Sequence, residues 1–126
     1  MRVSLLFLAG VLLTALCAVA QQSRIPSGAR IFIEKMDGFE DYLTAALHAK
    51  QVPVVVVVDK DKADFVLSGS ASGSEREHHY QATIKVVDKN GVVVFAYAFD
   101  QDYSMRGKQS AAEACAKNLK KEILGK

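Results

Sequence analysis

The sequence predicts a single α/β domain, a two-layer sandwich in which two helices cover one face of a mixed, mostly antiparallel sheet. Three observations lead to this prediction. A short β-rich run at 30–34 and an apolar run at 54–58 flank an amphipathic helical segment, which indicates a βαβ unit with parallel strands. Strand patterns on either side of Asn90-Gly91 indicate an antiparallel hairpin. A second amphipathic helix closes the chain, so the predicted order is β-α-β-β-β-β-α.

The first 20 residues have the pattern of a secretory signal peptide. Arg2 precedes an apolar run at 5–13, and the small residues of Ala18-Val19-Ala20 precede Gln21. The apolar run is shorter than the roughly 20 residues that a membrane-spanning helix needs. We therefore expect cleavage after Ala20 and export to the periplasm or beyond, with an uncleaved membrane anchor as the alternative.

The two cysteines refine this expectation. Lipidation of Cys17 is a further alternative, but Leu16 stands where lipoprotein signals have a small residue. Loss of Cys17 with the leader would leave Cys115 without an internal disulfide partner. Cys115 lies on an apolar helical stripe, so we expect a buried, inert thiol. An intermolecular disulfide is the alternative.

Size and charge limit the classes of function. The 126 residues carry a formal net charge of +2, which gives no basic field for nucleic acid or an anionic membrane surface. We expect a signal peptide at 1–20, a flexible tether at 21–29 and one domain at 30–126. No stable membrane insertion is expected after cleavage.

The first half of the domain reads as strand, helix, strand. The run at 30–34 is β-rich, and Asp37 with Glu40 has the spacing of a capping box. The helix should end near Lys50, because Pro53 disfavours helical geometry before it. The five valines at 54–58 suit a strand that is central, or parallel and covered on both faces.

The second half reads as three strands and a helix. A strand at 65–67 runs into a Ser/Gly-rich stretch, the alternation at 79–88 predicts a half-buried strand, and 92–99 is apolar on both sides and is expected to be internal. Ser110 and Glu113 form a second capping box, and Gly125 ends the helix. The predicted apolar stripe of this helix is Ala112, Cys115, Ala116, Leu119 and Ile123.

His78 and His79 are the most suggestive polar pair, with Glu75 and Glu77 nearby. Imidazoles and carboxylates bind zinc or copper. Neighbouring residues of a strand point to opposite faces, however, and His48 would have to be brought in by the fold. We therefore expect an exposed hairpin end rather than a metal centre.

Other candidate motifs lack the residues or the spacing that known functional sites require. The segment 68–74 lacks the Gly-Lys-Ser/Thr of a phosphate loop and precedes no helix, and no Gly-x-Ser-x-Gly elbow occurs. The aspartates 59, 61 and 64 lack the glycine and glutamate of a calcium loop. Aromatic residues alternate at 95, 97 and 99, on one side with Val93 and without interleaved basic residues, so we expect a core stripe rather than base stacking. The sequence predicts no catalytic residue, cofactor or metal ligand.

The segment Ala-Asp-Phe-Val-Leu-Ser-Gly at 63–69 resembles a signature of small envelope domains. That signature, Ala-Asp-Tyr-Val-Leu-x-Gly, is found in the N-terminal domain of TolB and in LpoB and CsgG-type lipoproteins. The resemblance implies an α/β domain that senses or scaffolds partners in the bacterial envelope without catalysis. It carries over no individual binding residue.

These observations together predict an exported, non-enzymatic envelope or periplasmic module that binds another envelope protein. A small-ligand or metal-binding periplasmic protein is the alternative. Two helices cover only one face of such a sheet, so the open face is the expected location of function. The sequence does not identify the partner, the pathway or the oligomeric state.

Overall fold

We describe a computed structural model of the protein for residues 24–74, 78–102 and 107–125. The strands are β1 (Ala29–Ile33), β2 (Val54–Val57), β3 (Phe65–Ser74), β4 (His79–Asp88) and β5 (Val93–Asp102). The helices are α1 (Phe39–Ala49) and α2 (Gly107–Leu124), and a 3-10 turn at Lys60–Lys62 joins β2 to β3. This order confirms the predicted fold class. The predicted signal peptide at 1–20 and the glutamates 75 and 77 lie outside the described residues.

The sheet has the strand order β2-β1-β3-β4-β5 and combines two pairing directions. β1 lies between β2 and β3 and is parallel to both. β3, β4 and β5 then follow as antiparallel neighbours. The direct connection of β1 through α1 to β2 accounts for the parallel half, and short connections account for the antiparallel half. The mixed sheet is therefore as predicted.

The two outer strands are not the ones expected. β2 was predicted to be central or covered on both faces, but it is an edge strand in which Val55 is 51% exposed and Val56 is 39% exposed. β5 was predicted to be internal and is the other edge. In β5 one apolar face is packed, whereas the other carries the exposed small residues Ala96 and Ala98. Apolar residues on both faces show that a strand could be buried, but they do not determine its position in the sheet.

The N-terminus of α1 is capped by a different residue from the one predicted. Asp37 has φ 54° and is not the cap, which is Gly38 with φ 94°. The Glu40 carboxylate does reach back, and it accepts hydrogen bonds from the Met36 N–H at 2.8 Å and the Gly38 N–H at 2.9 Å. Half of the predicted capping box is therefore present, and glycine supplies the left-handed backbone that the turn requires.

The helix α2 begins earlier than predicted. It starts at Gly107, so Ser110 lies inside the first turns and is not the N-cap. Its end is as predicted, because Gly125 has φ 69° directly after the helix. All five residues of the predicted apolar stripe are buried, together with Ala111.

The core lies between the helices and one face of the sheet. Ile25 belongs to it and is 0% exposed, although the sequence placed it in a tether; the packed domain thus includes Ile25. Gly28, in the same predicted tether, donates its N–H to the Pro53 carbonyl at 2.7 Å. The largest fully buried side chains are Phe39, Ile25, Ile31, Leu43, Leu67, Leu119, Val86 and Cys115.

Candidate functional site

The open face is the surface of the sheet opposite the helices. The strand register places alternate residues of all five strands on it in rows that run across the sheet. The row near the start of β3 contains apolar side chains. The rows at its middle contain mainly small and hydroxylated side chains, and those at its end contain charged ones. The face is thus graded along the strands.

The first of these rows is apolar over the full width of the sheet. We call it the apolar row, and it consists of Val57, Phe32, Val66, Val87 and Val93 on consecutive strands. The first four are half-buried, and Val93 is 49% exposed. Val93 was predicted to share a face with the aromatic residues of β5. A register shift between Val86 and Val87 instead places it beside Val87 on the open face.

A shallow depression follows the apolar row. It is lined mainly by the side chains of Ser68, Ser70, Thr83, Lys85, Ala96 and Ala98, from three neighbouring strands. Ser70 Oγ lies 3.1 Å from Thr83 Oγ1, so one hydroxyl donates to the other. Small side chains leave the sheet backbone accessible here, which lets another chain approach the sheet closely.

The far end of the open face carries a histidine held by two carboxylates. His79 Nε2 lies 2.7 Å from Asp100 Oδ1, and His79 Nδ1 lies 2.8 Å from Asp102 Oδ1. A neutral imidazole can donate from only one nitrogen, so this arrangement favours the protonated ring. The hydrogen bond to Asp102 raises the pKa of His79 above its usual range, and the negative charge of Asp100 adds to this effect against some desolvation. We call these three residues the His79 clamp.

The clamp could have been predicted from the hairpin signal. A two-residue turn at Asn90-Gly91 predicts His79 opposite Asp102. These residues do pair, although the strands reach this register only beyond the shift between Val86 and Val87. Sequence reasoning looked instead to the glutamates that are close along the chain. The partners came from the neighbouring strand.

The three histidines do not converge. His78 precedes β4 with φ 49°, His79 lies on the open face, and His48 lies on α1 on the opposite side of the sheet. Within the described ranges, no group of three or more His, Cys, Asp or Glu side chains is arranged to hold a metal ion. The site that the structure assembles around His79 is an ion-paired cluster.

The remaining candidates have structural roles. The segment 68–74 continues β3 rather than forming a loop. Asp59 accepts the Asp61 N–H at 3.0 Å, whereas Asp64 accepts the Arg30 N–H at 3.3 Å, so these carboxylates do not share one centre. The Arg30 N–H lowers the pKa of Asp64, and the Arg30 guanidinium contributes further against some desolvation.

Two predictions about packed side chains are confirmed. Phe95, Tyr97 and Phe99 face the helices, with Phe99 buried and the other two half-buried against the core. Cys115 is fully buried in α2, and desolvation raises the pKa of its thiol to about 12. At neutral pH this cysteine is a protonated packing residue.

The solved structures to which this chain is similar include the following two proteins. The C-terminal domain of LpoB from Salmonella enterica has 14% sequence identity and a TM-score of 0.48, covering 65% of this chain and 88% of that domain. An uncharacterised lipoprotein B from Nitrosomonas europaea has 12% identity and a TM-score of 0.35, covering 83% of each chain. The similarity to LpoB is of the kind predicted from the segment 63–69.

No protein-family model and no curated protein matches the sequence. In the parts of the chain that the structure describes, neither helix is long and apolar enough to cross a membrane.

Proposed function

We propose that this protein is a non-enzymatic interaction module of the bacterial envelope, exported to the periplasm, which binds another envelope protein through the open face of its sheet. The observation that carries this proposal is the apolar row, which crosses all five strands on the side that the helices leave uncovered. The signal peptide predicted at 1–20 and the resemblance of the segment 63–69 to envelope domains support the location.

The open face is suited to binding a protein surface, because it is broad and because its side chains change from apolar to charged along the strands. The apolar row supplies area that is stabilised by removal from water. The depression beside it is shallow and broad, whereas small-molecule sites are deep and enclose most of the ligand. The His79 clamp at the far end of the open face supplies a charged rim, and Lys85 adds a cationic side chain in the depression beside the apolar row.

Site-specific photocrosslinking in the native envelope tests the proposal. A crosslinking residue replaces Thr83 or Ala98 on the open face, and in the control it replaces Lys117 on the exposed surface of α2. We expect one discrete adduct with an envelope protein from the two open-face positions and none from position 117. The same adduct from position 117, or no adduct from the open face, would contradict the proposal.

A substitution in the depression provides the second arm. Ser70→Arg fills the depression with a large charged side chain at an exposed position that contributes nothing to the core. We expect loss of the adduct formed from position 98 while circular dichroism shows an intact fold. Lys117→Ala is the matched surface change and should leave the adduct unchanged.

A further inference from the structure

Positive and negative charges are separated along the strands of the open face. Lys85 of β4 lines the depression. Asp100 and Asp102 of β5 lie at the far end, where Asp100 is level with Gln81 of β4. Lys85 and Gln81 are four residues apart in the same strand, which corresponds to about 13 Å along the sheet. The open face therefore has a cationic and an anionic position at a defined distance.

The charge of Lys85 is not compensated within the domain. Lys85 is exposed, and its neighbours across the sheet are the uncharged Ser68 and Ala96. Among the described residues, its ammonium group forms no ion pair. Lys60, by contrast, has its Nζ 3.1 Å from Glu34 Oε1. Lys85 is thus available to an opposite charge on another molecule.

The far end of the open face keeps an excess of negative charge. The imidazole of His79 lies between Asp100 and Asp102 and neutralises at most one of the two carboxylates. Within the part of the chain that the structure describes, neither carboxylate forms an ion pair with a lysine or an arginine. The side chain of Asp100 is 61% exposed and that of Asp102 is 88% exposed. At least one negative charge is therefore presented to solvent.

This charge pattern restricts what can cover the open face. A partner that covers the apolar row and the depression removes the ammonium group of Lys85 from water. Burial of a charge is costly unless an opposite charge replaces the lost water, so the partner must supply an anion at this position. At the far end, complementarity of potentials requires a cation.

We propose that the envelope partner binds the open face through a segment that carries apolar side chains, then a carboxylate, then a cationic side chain, with the two charges about 13 Å apart. The carboxylate contacts Lys85, and the cationic side chain contacts Asp100. The inference rests on the proposed function and adds the chemistry and the orientation of the partner. Because the order of the three groups is not symmetric, the segment binds in one direction along β4.

Charge substitutions at Lys85 test the anionic contact in the native envelope, with the crosslinking residue at position 98. Lys85→Glu should lower the yield of the adduct about tenfold, because it places like charges opposite each other. Lys85→Arg keeps the charge and should leave the yield unchanged. Lys117→Glu makes the same change of charge on the exposed surface of α2 and should also have no effect. Circular dichroism confirms the fold of each variant.

Substitutions of Gln81 test the cationic contact without removing a carboxylate of the His79 clamp. Gln81 is exposed on β4, level with Asp100. Gln81→Lys should lower the yield of the adduct, because the new charge repels the cationic side chain of the partner. Gln81→Glu has a similar size and should keep or raise the yield. The reverse result for these two variants would overturn the proposed orientation.

The proposed function and this inference fail in different ways. Absence of an adduct from the wild-type open face contradicts both. A wild-type adduct that persists at full yield with Lys85→Glu leaves the proposed function standing and overturns the inference. Equal losses with Lys85→Glu and Lys85→Arg would show that the contact depends on shape rather than on charge, which also overturns it.

Discussion

His79 Nδ1 lies 2.8 Å from Asp102 Oδ1, across the antiparallel pair of β4 and β5, while Nε2 of the same ring faces Asp100. The interaction joins the ends of two strands that are distant from the Asn90-Gly91 turn. The contacts of His79 with these two carboxylates therefore tie together the part of the hairpin that is farthest from the turn.

The His79 clamp makes the stability of the hairpin dependent on pH. The folded-state pKa of His79 is raised, so its contribution is fully present below the unfolded-state value and is lost as pH rises through the folded-state value. We expect His79→Gln to destabilise the protein more at pH 5.5 than at pH 8.5, measured by urea unfolding. In an NMR titration, Asp102→Asn should lower the pKa of His79. A wild-type pKa at the ordinary value would contradict the clamp.

Glu40 should make α1 sensitive to acid. Its pKa is lowered first by the Met36 N–H and also by the Gly38 N–H, so the carboxylate stabilises the fold above its unfolded-state pKa, and this stability is lost as pH falls. We expect Glu40→Gln to reduce the fall in Tm between pH 6 and pH 3, measured by circular dichroism. Asp41→Asn removes a charge from the same first turn without these two bonds and is the control. Equal effects would contradict the role of Glu40.

Gly69 lies where the backbone of β4 leaves no room for a side chain on β3. A Cβ built at this position would overlap the Thr83 carbonyl oxygen, so the strands must separate to accept a side chain. We expect Gly69→Ala to lower the free energy of unfolding by about 1–3 kcal/mol, in the range of overpacking substitutions. Ser68→Ala, one residue earlier in the same strand, should have a much smaller effect. Urea unfolding distinguishes the two.

The Cys115 thiol should be unreactive in the native protein. It is 0% exposed, and desolvation raises its pKa to about 12, so almost no thiolate exists at pH 8. We expect labelling by a disulfide reagent such as Ellman's reagent to be slow in buffer and complete in denaturant. A non-reducing gel should show no disulfide-linked species. Rapid labelling under native conditions would contradict the burial of this residue.

The bounds and buried faces of the elements were predicted best where one side of a helix or strand is apolar and the other is polar. The alternation at 79–88 gave the bounds of β4, and the stripe through Leu119 gave the buried face of α2. The position of a strand in the sheet was predicted least well where both of its sides are apolar. The valines of β2 and the alternating alanines and aromatic residues of β5 satisfy a central strand equally well, and strand order is decided by which partners the connections allow.

The open face could be predicted in outline but not in detail. Two helices for five strands indicated that one face would be uncovered. The apolar row depends on pairings such as Phe32 with Val66, which are 34 residues apart and leave no local signal. The place of Val93 in that row depends further on one irregular residue in the β4–β5 ladder.

The parallel position of β1 has a consequence for the order in which the protein assembles. β4 and β5 meet through a short turn, whereas Ala29 pairs with Val54 and Ile31 pairs with Phe65, at separations of 25 and 34 residues. Local contacts form faster than distant ones, so the antiparallel hairpins should be the first part to acquire protected amides. β1, although it precedes them in the chain, joins last. Until β1 joins the sheet, the edge of β3 that will pair with it is exposed and can pair with the β1 of another molecule. Strand exchange between molecules is therefore the misfolding route that this topology favours.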